Sequence, residues 1–357
     1  SRLHAPLRPH IPTIVDLLKA RDYFTGVFRK HHLGPEFERR LDFYGAAGES
    51  FRTFFERLPR AKPFFLQVGF TDPHRPYQKG AITPGHDPAQ VRVPAFLPDS
   101  PEVREDLALY YDEISRMDGE VGQILDLLDQ RGLAENTMVV FSADNGMPFP
   151  RAKCSLYDPG VRVPLVVRWP GRVEAGSVCE ELVSSIDLPE TWLEAAGAAI
   201  PPLMRGRSLV GLLQGERDPA RQGVFAERNW HDNLDLIRSV RTQKYKLIQN
   251  YRPEKPYRPS LDLKASPSWR SYLALAASGT LSATHRQLLA PQRPEVELYD
   301  LEKDPDEFRN VAGAASHAGA LRQLQERLSE WMQDTNDFLP PPIGGFPKGV
   351  KAPPSPL

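Results

Sequence analysis

Residues 63–76 read PFFLQVGFTDPHRP, and this stretch sets the fold class. Its first eight residues form a near-continuous apolar run of strand length, the pattern of a strand covered on both faces of an α/β sheet, and the prolines that follow stop the ladder. Downstream, Leu107, Tyr111, Ile114, Met117, Val121, Ile124 and Leu128 recur every three or four residues between Glu102 and Gln130. That spacing predicts a long amphipathic helix. NTMVVFS at 136–142 predicts a second strand, halted by ADNGMPFP, and a third follows at Pro164–Trp169. Upstream, Ile14, Leu17 and Leu18 fall at helical spacing, Tyr23–Val27 reads as a short strand, and the loop RKHHLGP comes next. Strands alternating with helices predict an α/β fold with a mostly parallel sheet flanked by helices, in which ligands collect at the carboxyl ends of the strands.

After Gly215 the pattern changes to shorter strand-like pieces at Gly223–Ala226 and Tyr245–Gln249, broken by proline-rich sequence around 253–267. At 357 residues the chain exceeds the size at which a single core stops growing, roughly 250 to 300 residues. Two domains are therefore expected: residues 1–215, carrying the chemistry, and a smaller α+β domain at 216–338 that closes with LYDLEKDPDE and an amphipathic helix near 321–332. A Pro/Gly-rich tail at 339–357 is expected to run over the surface or to be disordered.

Lys and Arg number 45 against 46 acidic residues, so no global field favours nucleic acid or an anionic membrane surface. No run approaches the roughly 20 apolar residues of a membrane span. Cys154 and Cys179 are too few for a disulfide framework or a thiolate zinc site and read as two ordinary buried thiols. The chain opens at Ser1 and runs at once into an amphipathic stretch, which suggests a fragment or a processed piece.

The candidate chemistry lies in the loops after the strands. Asp144 and Asn145, in ADNG, offer a carboxylate and an amide oxygen, the donor type hard cations such as calcium prefer; a turn held by Asp and Asn side chains is the plainer account. Lys30 and His32, two apart in an extended loop, can point to one side with His31 facing away, or belong to a solvated basic loop. His74 and Arg75 follow the 63–70 strand with Asp72 beside them, and a strand-end cap at Asp72 is the alternative there. Lys153 can fold back as an anion clamp or remain a surface lysine. In the second domain Glu227, Trp230 and His231 can line a cleft, and a core position suits Trp230 equally well. Two metal-type oxygens, two lysines and two histidines together suit transfer of a tetrahedral anionic group, sulfuryl or phosphoryl.

The K-x-H loop at Lys30, the strand leading to GFTDPHRPY, SADNGMPFPRAK with its basic residue, MDGEVGQILDLLDQRGLAENT, VRVPLVVRWPG and LYDLEKDPDEFRNVA occur in this order. In these the sequence resembles the sulfatase family of the alkaline phosphatase superfamily. KHHLGPE, DPHRP, VPAFLPDSPEVREDLALYY, DNGMPFP and EWMQDTND are similar to its sulfamidase branch, which removes sulfate from the amino group of glucosamine.

The resemblance implies a calcium site completed by Asp144 and Asn145, sulfate held by Lys30 and His74, a sulfate oxygen bound by Lys153, and His32 assisting the nucleophile. Asp72, Arg75, Glu227 and His231 are the expected substrate contacts, the substrate a sulfated saccharide, and the compartment periplasmic, secreted or lysosomal. The family nucleophile is a formylglycine made from the Cys or Ser of C/S-x-P-x-R, behind a strand with two adjacent aspartates. Neither element occurs in these 357 residues, and KCSLYDPG and SVCEELV lack the required proline and arginine. The expectation is that this chain alone is inactive and that a parent protein carries the activity. A phosphodiesterase or phosphonate hydrolase of the same superfamily and a non-catalytic sulfated-carbohydrate binder are the competing readings.

Overall fold

The computed structural model describes residues 11–218, 221–337 and 339. The first half carries helices α1 (Ile14–Lys19), α2 (Pro35–Glu38), α3 (Arg52–Arg57), α4 (Pro101–Gln130), α5 (Asp158–Val161), α6 (Asp187–Ala195) and α7 (Val210–Leu213). Among them run strands β1 (Phe24–Arg29), β2 (Phe43–Gly45), β3 (Phe64–Gly69), β4 (Val139–Ser142) and β5 (Leu165–Arg168). The second half adds β6 (Val224–Trp230), β7 (Leu234–Arg241), β8 (Tyr245–Asn250) and β9 (Val296–Asp300), with helices α8 (Leu261–Lys264), α9 (Pro267–Ala277), α10 (Ala283–Arg286) and α11 (Ala318–Asp334).

The strands β1, β2 and β3 form a parallel sheet in the order β2-β1-β3, while β4 and β5 pair antiparallel. The central strand is β1, buried from Thr25 to Phe28, whereas β3 is only half-buried with Gln67 exposed. The apolar run at 63–70 is thus a strand, but at an edge of the described sheet. Gly26 leaves room for the Phe54 ring, since a Cβ there would lie 2.5 Å from it. Phe28, Phe43, Phe51, Phe54 and Phe55 then pack with Leu127 and Leu128 from the end of α4.

The start of α4 serves a second core, in which Val103 and Leu107 meet Phe149 and Ala152 from the segment after β4. One 30-residue helix therefore braces both the sheet and the loop that carries ADNG. Ser100 caps it, its hydroxyl accepting from the Val103 amide, and Pro101 takes the first turn, where a missing N–H costs nothing.

Strands β6 to β9 form an antiparallel meander. One face packs against Leu324 and Leu328 of α11, and Trp331 stacks on Phe225 with ring centroids 5.0 Å apart. The other face meets Leu156, Tyr157 and Val161, which joins this sheet to the chain just after Lys153. Cys179 is exposed and Cys154 half-buried, so the reading of two buried thiols is corrected. The expected surface tail lies outside the described residues apart from Leu339, which is buried.

The Asp106 carboxylate on α4 is 1% exposed and joins three elements. It accepts two hydrogen bonds from Arg75, both 2.7 Å, and two from Ser268 at the start of α9, 2.5 Å from the hydroxyl and 3.2 Å from the amide. Substituting Asp106→Ala leaves the Arg75 guanidinium buried without its counter-charge, which costs about 3–5 kcal/mol. Urea denaturation of wild type and variant checks this; a loss below about 1 kcal/mol would show that the tie carries no such weight.

Candidate active site

The carboxyl ends of β1 and β3 lie side by side, with Arg29 opposite Gly69. The Lys30 amide donates to the Gly69 carbonyl at 3.2 Å, and a Cβ on Gly69 would sit 1.9 Å from the Lys30 carbonyl oxygen, so only glycine permits this approach. The two loops that follow, Lys30–Gly34 and Thr71–Pro76, therefore leave the sheet together.

In the first loop Lys30 Nζ lies 3.5 Å from Asp144 Oδ2. His31 is turned away: its Nδ1 accepts from the Leu33 amide at 3.1 Å, so Nε2 carries the proton towards Glu38 at 3.2 Å, and the ring packs against Phe37 and Tyr44. His32 is exposed, in left-handed backbone with φ 55°. In the second loop His74 Nδ1 sits 2.6 Å from the Arg75 carbonyl oxygen, an acceptor only, which fixes the proton on Nδ1 and leaves Nε2 as the acceptor of the neutral ring.

Asp144 and Asn145 are both exposed, and the Asn145 amide donates to the Gly146 carbonyl at 2.8 Å. Gly146 locks the loop: its amide donates to the Gly160 carbonyl at 2.9 Å, and a Cβ would lie 1.9 Å from the Pro159 oxygen. Beyond the PFP turn, Lys153 folds back as a buried side chain. Its Nζ is 3.2 Å from His74 Nε2 and 2.6 Å from Asp262 Oδ2, and Asp262 is 3.7 Å from His74 Nε2.

Other expected contacts go elsewhere. The Arg75 guanidinium points inward to Asp106, the Pro148 carbonyl and the faces of Tyr77 and Phe149. Asp72 is held by Arg116 of α4 through bonds of 2.6 and 2.8 Å. Both residues hold the His74 loop in place and are not among the partners of Lys30 or Lys153. Glu227 is half exposed, 3.4 Å from Arg238. His231 lies 3.1 Å from Asp232, whose carboxylate accepts the Leu261 amide at 2.6 Å. The turn after β6 thereby fixes the short helix that carries Asp262.

Asp262 and Asp232 went unread in the sequence, because PSLDLKASP looks like a proline-rich interruption and nothing local marks its aspartate. Burial raises the Asp262 pKa, but the hydrogen bond and charge of Lys153 outweigh it and bring it down to about 2. Burial also raises the Cys154 thiol, against the pull of Arg228 and Lys153, which disfavours the thiolate that a nucleophile needs.

Asp144 and Asn145 fit a hard cation in donor type, and they supply two oxygens where calcium takes six to eight. Among the described residues no group of three or more His, Cys, Asp and Glu side chains is arranged to hold a metal.

Residues 44–198 match the sulfatase family model, and residues 151–277 match the model described as N-sulphoglucosamine sulphohydrolase, C-terminal. The human N-sulphoglucosamine sulphohydrolase is 31% identical over 370 residues, an alignment that covers 90% of this chain and 73% of the relative. The chain belongs to the sulfatase family.

An ulvan-active sulfatase of Formosa agariphila is 33% identical over 247 residues, 69% of this chain, and the chain spans only 41% of that relative. Among solved structures, one in complex with its substrate D-glucosamine-2-N,6-O-disulfate superposes with a TM-score of 0.66 at 17% identity, covering 94% of this chain and 84% of that one. The phosphonate monoester hydrolase of Silicibacter pomeroyi superposes at 0.67 and 18% identity, covering 98% and 86%. These likenesses establish the alkaline phosphatase-like fold.

Two outcomes are expected. Because the Asp262 pKa is depressed below its free value of 3.8, its stabilisation is fully present above about pH 4 and is lost as the pH falls towards 2. Asp262→Asn should therefore cost roughly 2 kcal/mol at pH 6 and progressively less below pH 4, measured by urea denaturation; an equal cost at pH 6 and pH 2.5 would contradict this linkage. The 357-residue chain should bind calcium no tighter than about millimolar in a titration, as expected of a site with one carboxylate, and submicromolar binding would mean that other residues complete the site.

Proposed function

We propose that the protein of which this chain is part hydrolyses a sulfuric ester or sulfamate on a sulfated sugar, with N-sulfoglucosamine units of glycosaminoglycan type as substrate. The convergence of buried Lys153 on His74 Nε2, at the mouth shared by the loops after β3 and β4, carries this reading. The Lys153 ammonium, held by the ring nitrogen that accepts one of its hydrogens, suits the oxygens of a transferring sulfuryl group, where charge must be met by groups already in place. The family match across residues 151–277 and the human sulphohydrolase support the sulfamate form.

For a sulfamate the overall change is R–NH–SO₃⁻ plus water giving R–NH₃⁺ and sulfate, with the N–S bond broken and a new S–O bond formed. Asp144 and Asn145 would contribute to holding a calcium ion, and the resemblance assigns the nucleophile to a formylglycine hydrate outside these residues; together these supply positive charge and an activated oxygen. The residues of this chain do the rest. Lys153 and Lys30 neutralise sulfuryl oxygens, His74 faces the leaving atom through Nε2, and the Arg75–Asp106 and Asp72–Arg116 pairs hold the His74 loop rigid.

The test is sulfate release from N-sulfoglucosamine by the complete protein. Asp144→Ala should abolish metal-dependent turnover, while Lys153→Ala should lower kcat by about 10²–10³-fold with a smaller change in KM, as for loss of a group contacting developing charge. Full turnover of the Asp144 variant at unchanged metal content removes the ADNG loop from the reaction. A Lys153 variant that loses only affinity removes that lysine from the transition state.

A further inference from the structure

Asp262 is out of place in a site built for an oxyanion. It presents a carboxylate, 17% exposed in its side chain, to the same Lys153 ammonium and His74 ring nitrogen that would receive the sulfuryl group. An ionised carboxylate is an acceptor only, and so are the oxygens of a sulfate ester. Brought together they repel and compete for Lys153. The arrangement makes chemical sense where the bound group offers a donor of its own. A sulfate ester has none next to sulfur, since the bridging atom is an oxygen; a sulfamate has the N–H of its bridging nitrogen.

Asp262 is also held too firmly to swing aside. The preceding amide, Leu261 N, donates to Asp232 at 2.6 Å, and the following side chain, Leu263, is fully buried. Ser268, at the start of the adjoining helix α9, is fixed to Asp106. The carboxylate therefore stays at the corner of the site when a ligand enters.

We infer that Asp262 is a specificity-determining residue, whose carboxylate accepts the N–H of an N-sulfated amino sugar and disfavours O-sulfated sugars that lack this donor. The inference rests on the sulfated-sugar reading above and adds to it the atom by which nitrogen is told from oxygen. A site that places an acceptor against a substrate N–H discriminates strongly, because the analogue lacking the donor leaves a charged group unpaired or opposed to a lone pair.

Calorimetric titration of the complete protein with glucosamine N-sulfate, glucosamine 6-O-sulfate and inorganic sulfate tests this. Wild type should prefer the N-sulfate over the 6-O-sulfate by at least about tenfold, the size of one charged hydrogen bond. Asp262→Ala should erase that preference and bind inorganic sulfate about tenfold more tightly, since Lys153 then loses its competing anion. Asp262→Asn, close in shape and able to keep the fold, should fall between the two. If the variants weaken both sugars equally and leave their ratio intact, Asp262 is only a counter-ion for Lys153 and the inference fails. If wild type binds both sugars with equal affinity, the inference fails while the sulfated-sugar reading stands. If wild type binds neither sugar, that reading fails and the inference with it.

Discussion

The buried carboxylate of Asp106 is the constraint on which the site depends. A charge removed from water must be matched by donors, and here the donors come from two places distant in sequence: Arg75 in the loop after β3 and Ser268 at the start of α9. His74 precedes the first, and Asp262 lies one short helix before the second. Satisfying one acid therefore fixes the distance between the histidine and the aspartate, and Lys153 settles between them. A buried ion pair adds little net stability over an apolar core; its value here is that only one arrangement of loops satisfies it.

A second ionic cluster does the same for the ADNG loop. Lys246 of β8 is fully buried and bonds Asp158 at 2.8 Å and Glu307 at 3.0 Å, while Glu307 accepts the Asp158 amide at 2.6 Å. Burial raises the pKa of both acids, but Lys246 and Arg241 more than reverse this for Asp158, whereas Glu307 remains raised. Asp158 opens the turn whose Gly160 carbonyl holds Gly146. The antiparallel sheet thus reaches the metal-type oxygens through four residues, and the LYDLEKDPDE motif has its physical reason in Glu307.

Much of this was legible in the sequence because it depends on local patterns. The α4 periodicity and the strands at Phe64–Gly69 and Val139–Ser142 follow from side-chain spacing, and the loops after them are where such folds place ligands. What was not legible depends on partners far along the chain. Arg75 and Asp72 look like ligand contacts in DPHRP, yet their partners lie 31 and 44 residues downstream on the inner face of α4. The apolar run at Phe64–Gly69 predicts a strand covered on both faces, but that strand is half-buried and β1, of equal length, takes the centre, because pairing order is a property of the sheet and not of one strand's composition. Asp262 could be found only once the fold had brought it to Lys153.

The site holds two carboxylates, each beside a lysine, and their surroundings give them opposite roles. Asp144 is 73% exposed in its side chain and 3.5 Å from Lys30, a contact that water screens and that a divalent cation can replace at little cost. Asp262 is 17% exposed and 2.6 Å from a lysine that is itself buried, so breaking that pair would strand two charges in a poor solvent. The first acid is available to a cation; the second is committed and keeps its charge in the site. Exposure, more than residue type, thus separates an acid that can exchange its partner from one that cannot, although each is paired with a lysine.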